Sequence, residues 1–246
     1  MAGFLSMFEK RKKEPVICSA VVVAAGFARR MEGIDKMPTN LGELPVLVHT
    51  LYAFQDCEQV DEIIVVTRED LLEEISQFRQ NFRLDKVSKI VVGGEERIHS
   101  VRAGLREVRE DATLIAIHDG ARPLVTQKIL KQTIETAAVA GAAAPAIPLT
   151  DTIKRVEKGV ITETVDRSEL FAIQTPQIFE ASLIKAATEK ALMDGVNLTD
   201  DCAAVERLGM KVSLTEGSKE NLKITTPFDL TLCEMILAKR VREGSV

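Results

Sequence analysis

No stretch of this sequence approaches the ~20 apolar residues that a membrane span requires. The amino-terminal MAGFLSMFEKRKKE also lacks the marks of a secretion signal: its charges follow the apolar residues, its apolar core is short, and no small-residue cleavage site ends it. Cysteine is scarce. Cys18, Cys57, Cys202 and Cys233 lie far apart, without the paired spacing of a zinc site or redox couple, and each sits in or beside an apolar pattern. They read as buried free thiols in a reducing cytoplasm. Nor is there an excess of positive charge: a net charge of -5 and a pI near 5.4 argue against a general nucleic-acid binder. The familiar phosphate fingerprints are missing too, since neither G-x-x-x-x-G-K-[ST] nor the three glycines of a dinucleotide loop occurs. His118 reads as a packed, hydrogen-bonded residue rather than a metal ligand, because no second histidine has suitable spacing.

What is present is an alternation. With 46% hydrophobic residues, the 246-residue chain can bury one large core, and a single domain over 1–246 is the default, residues 1–14 reading as an extension. Apolar, β-branched runs at 16–26, 61–67, 88–94, 113–120 and 141–149 predict strands covered on both faces. Helical patterns at 45–56, 69–82, 98–109 and 126–140 separate them. This predicts an α/β fold: a Rossmann-like, doubly wound, mostly parallel sheet whose ligand lies at the carboxyl ends of the strands. After residue 150 the pattern breaks. Residues 151–167 read as two polar strands around a Lys158-Gly159 turn, a β-arm over about 151–170 that either meets a second subunit or folds back on its own domain. Helices at 181–194, 200–208 and 228–240, a strand at 211–215 and the stretch NLKITTP complete the expectation.

Three polar clusters fall at the strand ends. The first is AAGFARRMEGIDK, residues 24–36, where Gly26 is followed within ten residues by Arg29, Arg30 and Lys36. A lone glycine there is an ordinary strand-to-helix turn, but one beside three cations suits a triphosphate. Glycine, Lys and Arg over 26–40 also suit an active-site lid. The second cluster is GGEERIHSVRAGL, residues 93–105, with Ser100 opening a helix whose apolar face carries Val101, Leu105 and Val108. It is either a base-reading loop or a plain Gly-Gly turn. The third is IHDGARP, residues 117–123, where Asp119 either holds a divalent cation or caps the next helix.

Taken in order, AAGFARRM, LPVLVHTL, GGEERIHSVRAGL, HDGARP, DTIK, QTPQIF, TDDCAAVERLG and EGSKENLKITTPFDL resemble the 2-C-methyl-D-erythritol 4-phosphate cytidylyltransferases of non-mevalonate isoprenoid synthesis, from about residue 17 to 240. The resemblance implies a Mg²⁺-dependent transfer of CMP from CTP to a polyol phosphate, by a homodimer joined through the β-arm, with neither nucleic acid nor membrane as partner. It implies catalytic cations at Arg30, Lys36 and Lys223, nucleotide contacts at Ala24, Ala25, Gly26, Gly94, Glu95, Arg97 and Ser100, and metal binding at Asp119. Acceptor contacts are implied at Arg122, Thr152, Arg167, Thr175 and Lys223, partly from a neighbouring subunit. Two departures stand out: Ala28 replaces the usual glycine, and Asp35-Lys36-Met37 replaces a Pro-Lys-Gln triplet, so that Lys36 is expected to reach the phosphates through a re-shaped loop. A ribitol 5-phosphate cytidylyltransferase shares these motifs, and a weakened CTP-binding dimer is the alternative outside catalysis.

Overall fold

The computed structural model describes residues 15–26, 35–196 and 198–244. Ala28, Arg29, Arg30, the amino-terminal 1–14 and most of the expected lid over 26–40 lie outside the described residues.

The apolar runs become the centre of one sheet. Strand β1 (Cys18–Val23) pairs in parallel with β4 (Glu62–Thr67) on one side and β6 (Leu114–Asp119) on the other, and β5 (Val87–Val92) extends the sheet beyond β4. Because successive residues of a strand face opposite sides, β1 feeds two cores. Ala20 and Val22 pack with α1 (Val46–Gln55), α2 (Leu72–Asn81) and α4 (Gln127–Ala140), whereas Val21 packs with α3 (Arg97–Glu107), α5 (Ala181–Met193) and α6 (Asp201–Arg207). Helices on both faces explain why these strands are apolar throughout rather than alternating.

The far half of the sheet is mixed. Strand β7 (Ala142–Pro148) meets β12 (Ser213–Glu216) in parallel, and meets β10 (Phe171–Ile173) and β11 (Gln177–Glu180) antiparallel; β11 also pairs with β6. The stretch NLKITTP, 221–227, forms no strand. It crosses beside the carboxyl end of β6, where Ile224 donates its N–H to the Ala121 carbonyl at 2.8 Å. A short hairpin of β2 (Asn40–Leu41) and β3 (Leu44–Pro45) precedes α1, so this helix starts one residue later than its apolar pattern suggested. Closing helix α7 (Pro227–Glu243) is capped by a reciprocal Thr226–Asp229 box and packs Leu41, Val46, Leu124, Ile224 and Cys233 into a third, smaller core.

The polar hairpin forms as predicted, with β8 (Ile153–Glu157) against β9 (Val160–Val165). Lys158 at φ 49° and Gly159 at φ 82° supply the two left-handed residues that a two-residue hairpin turn needs. It does not fold back on the body: Val156, Val160 and Ile161 are 54%, 66% and 60% exposed. All four cysteines are buried free thiols. Among the described residues, no helix is long and apolar enough to cross a membrane.

Candidate active site

The chain leaves β1 toward β4 on one side and reaches β6 on the other, so a crevice opens where the direction reverses, outside the carboxyl ends of these strands. Ala25 and Gly26 form one wall as β1 ends, and Gly94, Glu95, Glu96, Arg97 and Ser100 form the second after β5. Asp119 closes the floor at the end of β6. Two lysines come from outside the sheet: Lys36, and Lys223 from a segment 104 residues further along the sequence than Asp119. Ala24 is fully buried and donates its N–H to the Val66 carbonyl at 2.7 Å, so it supports this wall from behind.

The second wall is shaped by close approach. A side chain on Gly93 would come within 2.6 Å of both Ala25 Cβ and Ser100 Oγ, and one on Gly94 within 2.4 Å of His99 Cβ. Glycine is therefore required for this loop to lie against α3. Gly26 is different, since among the described residues a Cβ there meets nothing within 4 Å. Ser100 does not open the helix as expected. Helix α3 begins at Arg97, placing Ser100 in its first turn, 2% exposed, with its Oγ accepting from the Gly94 N–H at 3.2 Å.

Asp119 sits under three cations. Lys223 Nζ is 2.8 Å from Oδ2, Arg122 Nε is 3.7 Å from Oδ2, and Arg97 Nε is 3.6 Å from Oδ1. Burial raises the carboxyl's pKa, but Lys223 and Arg97, with Arg122 behind them, outweigh it and hold the group ionised, well below the usual carboxylate range. Asp119 does not cap a following helix; α4 starts at Gln127 and is capped by Thr126. Lys36 donates from Nζ to the Ile224 carbonyl at 3.2 Å, which brings it beside Lys223. The DKM departure has a physical account here: Asp35 takes an ion pair from Arg68 and accepts from the Met37 N–H at 3.2 Å, pinning the turn that presents Lys36.

Behind Asp119 runs a buried polar chain in which His118 is the packed, hydrogen-bonded residue expected. The Asp119 N–H donates to Thr175 Oγ1 at 3.1 Å, and Thr175 Oγ1 lies 3.0 Å from His118 Nδ1. The Arg122 carbonyl, 3.3 Å from Nε2, can only accept, so Nε2 carries the hydrogen. Burial keeps the imidazole neutral, pushing the His118 pKa down to about 3, so Nδ1 is left to accept from the threonine hydroxyl. Asn221, fully buried, donates to the Thr175 carbonyl at 3.0 Å and to Gln174 Oε1 at 3.2 Å, while Arg122 Nη1 donates to the Asn221 carbonyl at 2.7 Å. Three chain segments, 118–122, 174–175 and the one at Asn221, are thereby locked together. Thr175, 4% exposed, keeps its hydroxyl within this chain, and Arg122 lies behind Asp119. Thr152 and Arg167 are exposed at the base of the arm, away from the crevice walls, with Arg167 donating to the Thr150 carbonyl.

Among the described residues, no three His, Cys, Asp or Glu side chains gather as a metal cage. Mg²⁺ does not need one, since it keeps several waters and is commonly held by one or two carboxylates plus substrate phosphates. The single ionised Asp119 at the crevice floor fits an ion of that kind.

A sequence model of the family named 2-C-methyl-D-erythritol 4-phosphate cytidylyltransferase matches residues 18–239. The protein of that name from Caldanaerobacter subterraneus subsp. tengcongensis is 46% identical over 224 residues, 90% of this chain and 99% of the relative. Its counterpart from Halalkalibacterium halodurans is 44% identical over 225 residues, 91% and 98% of the two chains. Among solved structures, the 4-diphosphocytidyl-2C-methyl-D-erythritol synthase of Anaerococcus prevotii superposes with a TM-score of 0.81 at 29% identity, covering 92% of this chain and 100% of the other. The 2-C-methyl-D-erythritol 4-phosphate cytidylyltransferase of Thermus thermophilus gives 0.75 at 30% identity, covering 89% and 98%. The matched span takes in every wall of the crevice, and the chain belongs to the 2-C-methyl-D-erythritol 4-phosphate cytidylyltransferase family.

Proposed function

We infer that the chain transfers CMP from CTP to 2-C-methyl-D-erythritol 4-phosphate, releasing pyrophosphate, and that the strand-end crevice is where it does so. The observation that carries this reading is the convergence of Lys36, Arg97, Asp119 and Lys223 on one crevice from separate stretches of chain, with Arg97 and Lys223 paired to Asp119. A phosphate oxygen of the acceptor attacks the α-phosphorus of CTP, the bond from that phosphorus to the bridging oxygen breaks, and pyrophosphate leaves in line. No covalent enzyme intermediate is needed, so the protein's work is positioning and electrostatics. Ala25, Gly26, Gly94, Glu95, Arg97 and Ser100 cradle the nucleotide, and Lys36, together with Arg30, neutralises its phosphates. Asp119 would hold Mg²⁺, which when bound spreads the charge of the triphosphate. Lys223 faces the acceptor phosphate, Arg122 backs it from behind Asp119, and Thr175 sets the backbone of Asp119 beneath them.

Thr152 and Arg167 complete the acceptor site from a second subunit in this reading. What supports it is the arm itself, a two-stranded hairpin with Val156, Val160 and Ile161 open to solvent, since a lone hairpin is marginal in water without another surface. The chain then acts as a single nucleotidyltransferase domain, paired through 151–170, in a reducing cytoplasm that keeps its four thiols free. Pyrophosphate release measured with each of the four nucleoside triphosphates, and with methylerythritol phosphate against ribitol 5-phosphate, tests the reading. Release with CTP and methylerythritol phosphate is expected. Preference for ribitol 5-phosphate, or CTP binding without pyrophosphate, refutes it.

A further inference from the structure

The segment TDDCAAVERLG holds two adjacent aspartates with different tasks. Asp200 caps α6, accepting from the Ala203 N–H at 3.0 Å, and its other oxygen takes a hydrogen bond from Gln177 Nε2 at 2.9 Å. Asp201 is not needed for that. Its carboxylate, with a side chain only 7% exposed, faces the crevice wall and takes both terminal nitrogens of Arg97, Nη1 at 2.8 Å and Nη2 at 2.7 Å. Behind it, Gln177 Oε1 accepts from the N–H groups of Asp201 and Cys202, each at 3.0 Å, so the start of α6 is bolted to β11. The carboxylate therefore has a fixed base.

We propose that Asp201 is a positioning residue for the nucleotide: it holds the fork of Arg97 so that only Nε faces Asp119. Two carboxylates compete for one guanidinium here. A guanidinium fork prefers to grip a carboxylate with two parallel hydrogen bonds. With Asp201 in place, Arg97 spends that fork away from the crevice floor and approaches Asp119 no nearer than 3.6 Å. Without it, Arg97 would turn its fork onto Asp119, occupying the oxygens assigned to Mg²⁺ and withdrawing the cation from the nucleotide wall. Arg97 is also the first residue of α3, whose first turn carries Ser100, so the same pair anchors the loop that lies against the nucleotide.

This inference rests on the crevice taking CTP, and the experiment separates the two. Calorimetric titration of CTP with Mg²⁺ into the wild-type full chain comes first; absence of binding would overturn the functional reading itself. Given wild-type binding, Asp201→Asn is expected to weaken CTP on the order of 10²-fold, the scale of a misplaced contact, and to raise the Mg²⁺ concentration needed for half-maximal binding. The KM for methylerythritol phosphate should stay within a factor of about two, far less than the 10²-fold scale set by misplacement. Asp201→Glu, which keeps both oxygens displaced by one methylene, should recover most of the affinity and guards against an Asn variant that folds poorly. In an Arg97→Ala background, Asp201→Asn should add nothing further. A folded Asp201 variant that binds CTP like the wild type, with only its melting temperature lowered, would show a purely structural role and overturn the proposal.

Discussion

Removing one oxygen atom tests the buried polar chain beneath the crevice. Thr175→Val keeps the shape of the side chain but deletes the hydroxyl that accepts from the Asp119 N–H at 3.1 Å and meets His118 Nδ1 at 3.0 Å. Both partners are buried, His118 fully and Asp119 at 7% exposure, so neither can turn to water instead. Leaving a buried donor or acceptor unpaired costs about 1–3 kcal/mol. Two such groups set an expected loss of about 2–6 kcal/mol, a fall in melting temperature of roughly 4–24 °C for a chain of this size. Thr175→Ser restores both hydrogen bonds and gives up one methyl group, at about 1 kcal/mol. Thermal unfolding of the three proteins, followed by calorimetry, reads the difference directly. If Thr175→Val melts within about 2 °C of Thr175→Ser, a gap of roughly 1 kcal/mol or less, the polar chain does not hold the crevice floor.

Acid should find the same chain. His118 is neutral when folded, with a pKa pushed down to about 3, but takes up a proton near 6.5 when unfolded. The unfolded state then binds more protons between these values, so stability is full above about pH 6.5 and falls as pH drops toward about 3, by up to about 5 kcal/mol. His49, lowered by burial, acts in the same direction; chemical denaturation of wild type and His118→Gln across about pH 4–8 should show the variant's profile flatter, and parallel profiles would contradict it. Lys36→Ala should lower turnover about 10²- to 10³-fold with the melting temperature unchanged, since one preorganised charge is removed from the phosphates; undiminished pyrophosphate release would refute that role. Arg68→Ala should loosen the Asp35 turn and cost about 10-fold in kcat/KM for CTP through misplaced Lys36; steady-state kinetics at wild-type values would show that the turn holds itself.

The parallel half of the fold was legible because burial on both faces leaves an unmistakable trace: runs such as CSAVVV and EIIVVT admit little else between helical segments. Strands β10 and β11 left no such trace. FAI is only three residues long, QIFE is mixed in polarity, and both owe their conformation to the ladder that β7 and β6 offer them. Helix α3 starts at Arg97, one residue ahead of its apolar pattern, and Arg97 pairs with Asp201, 104 residues away, a contact that no local propensity records. In the site, Gly94 and Asp119 were readable as polar features at strand ends, and Lys223 only through the family resemblance. His118 was legible as a packed, hydrogen-bonded residue, but its partners and the role of Asp201 were not, since a buried polar residue in sequence looks like any other until its contacts are known. A signal did exist for Asp201: two consecutive aspartates before a short apolar helix are one more than a cap requires.

The central claim is that CTP lies in the crevice between Gly26, Gly94 and Asp119, its phosphates drawn by lysines from two distant segments. A crystal structure of the chain soaked with CTP and Mg²⁺ tests it most directly. The account predicts the base beside Gly94 and Ser100, phosphate oxygens within hydrogen-bond reach of Lys36, and Lys223 Nζ moved off Asp119 Oδ2. A nucleotide seated instead in the neighbouring hollow lined by Arg68, Glu69, Asp70 and Val92, with the Lys223–Asp119 contact intact, would contradict it.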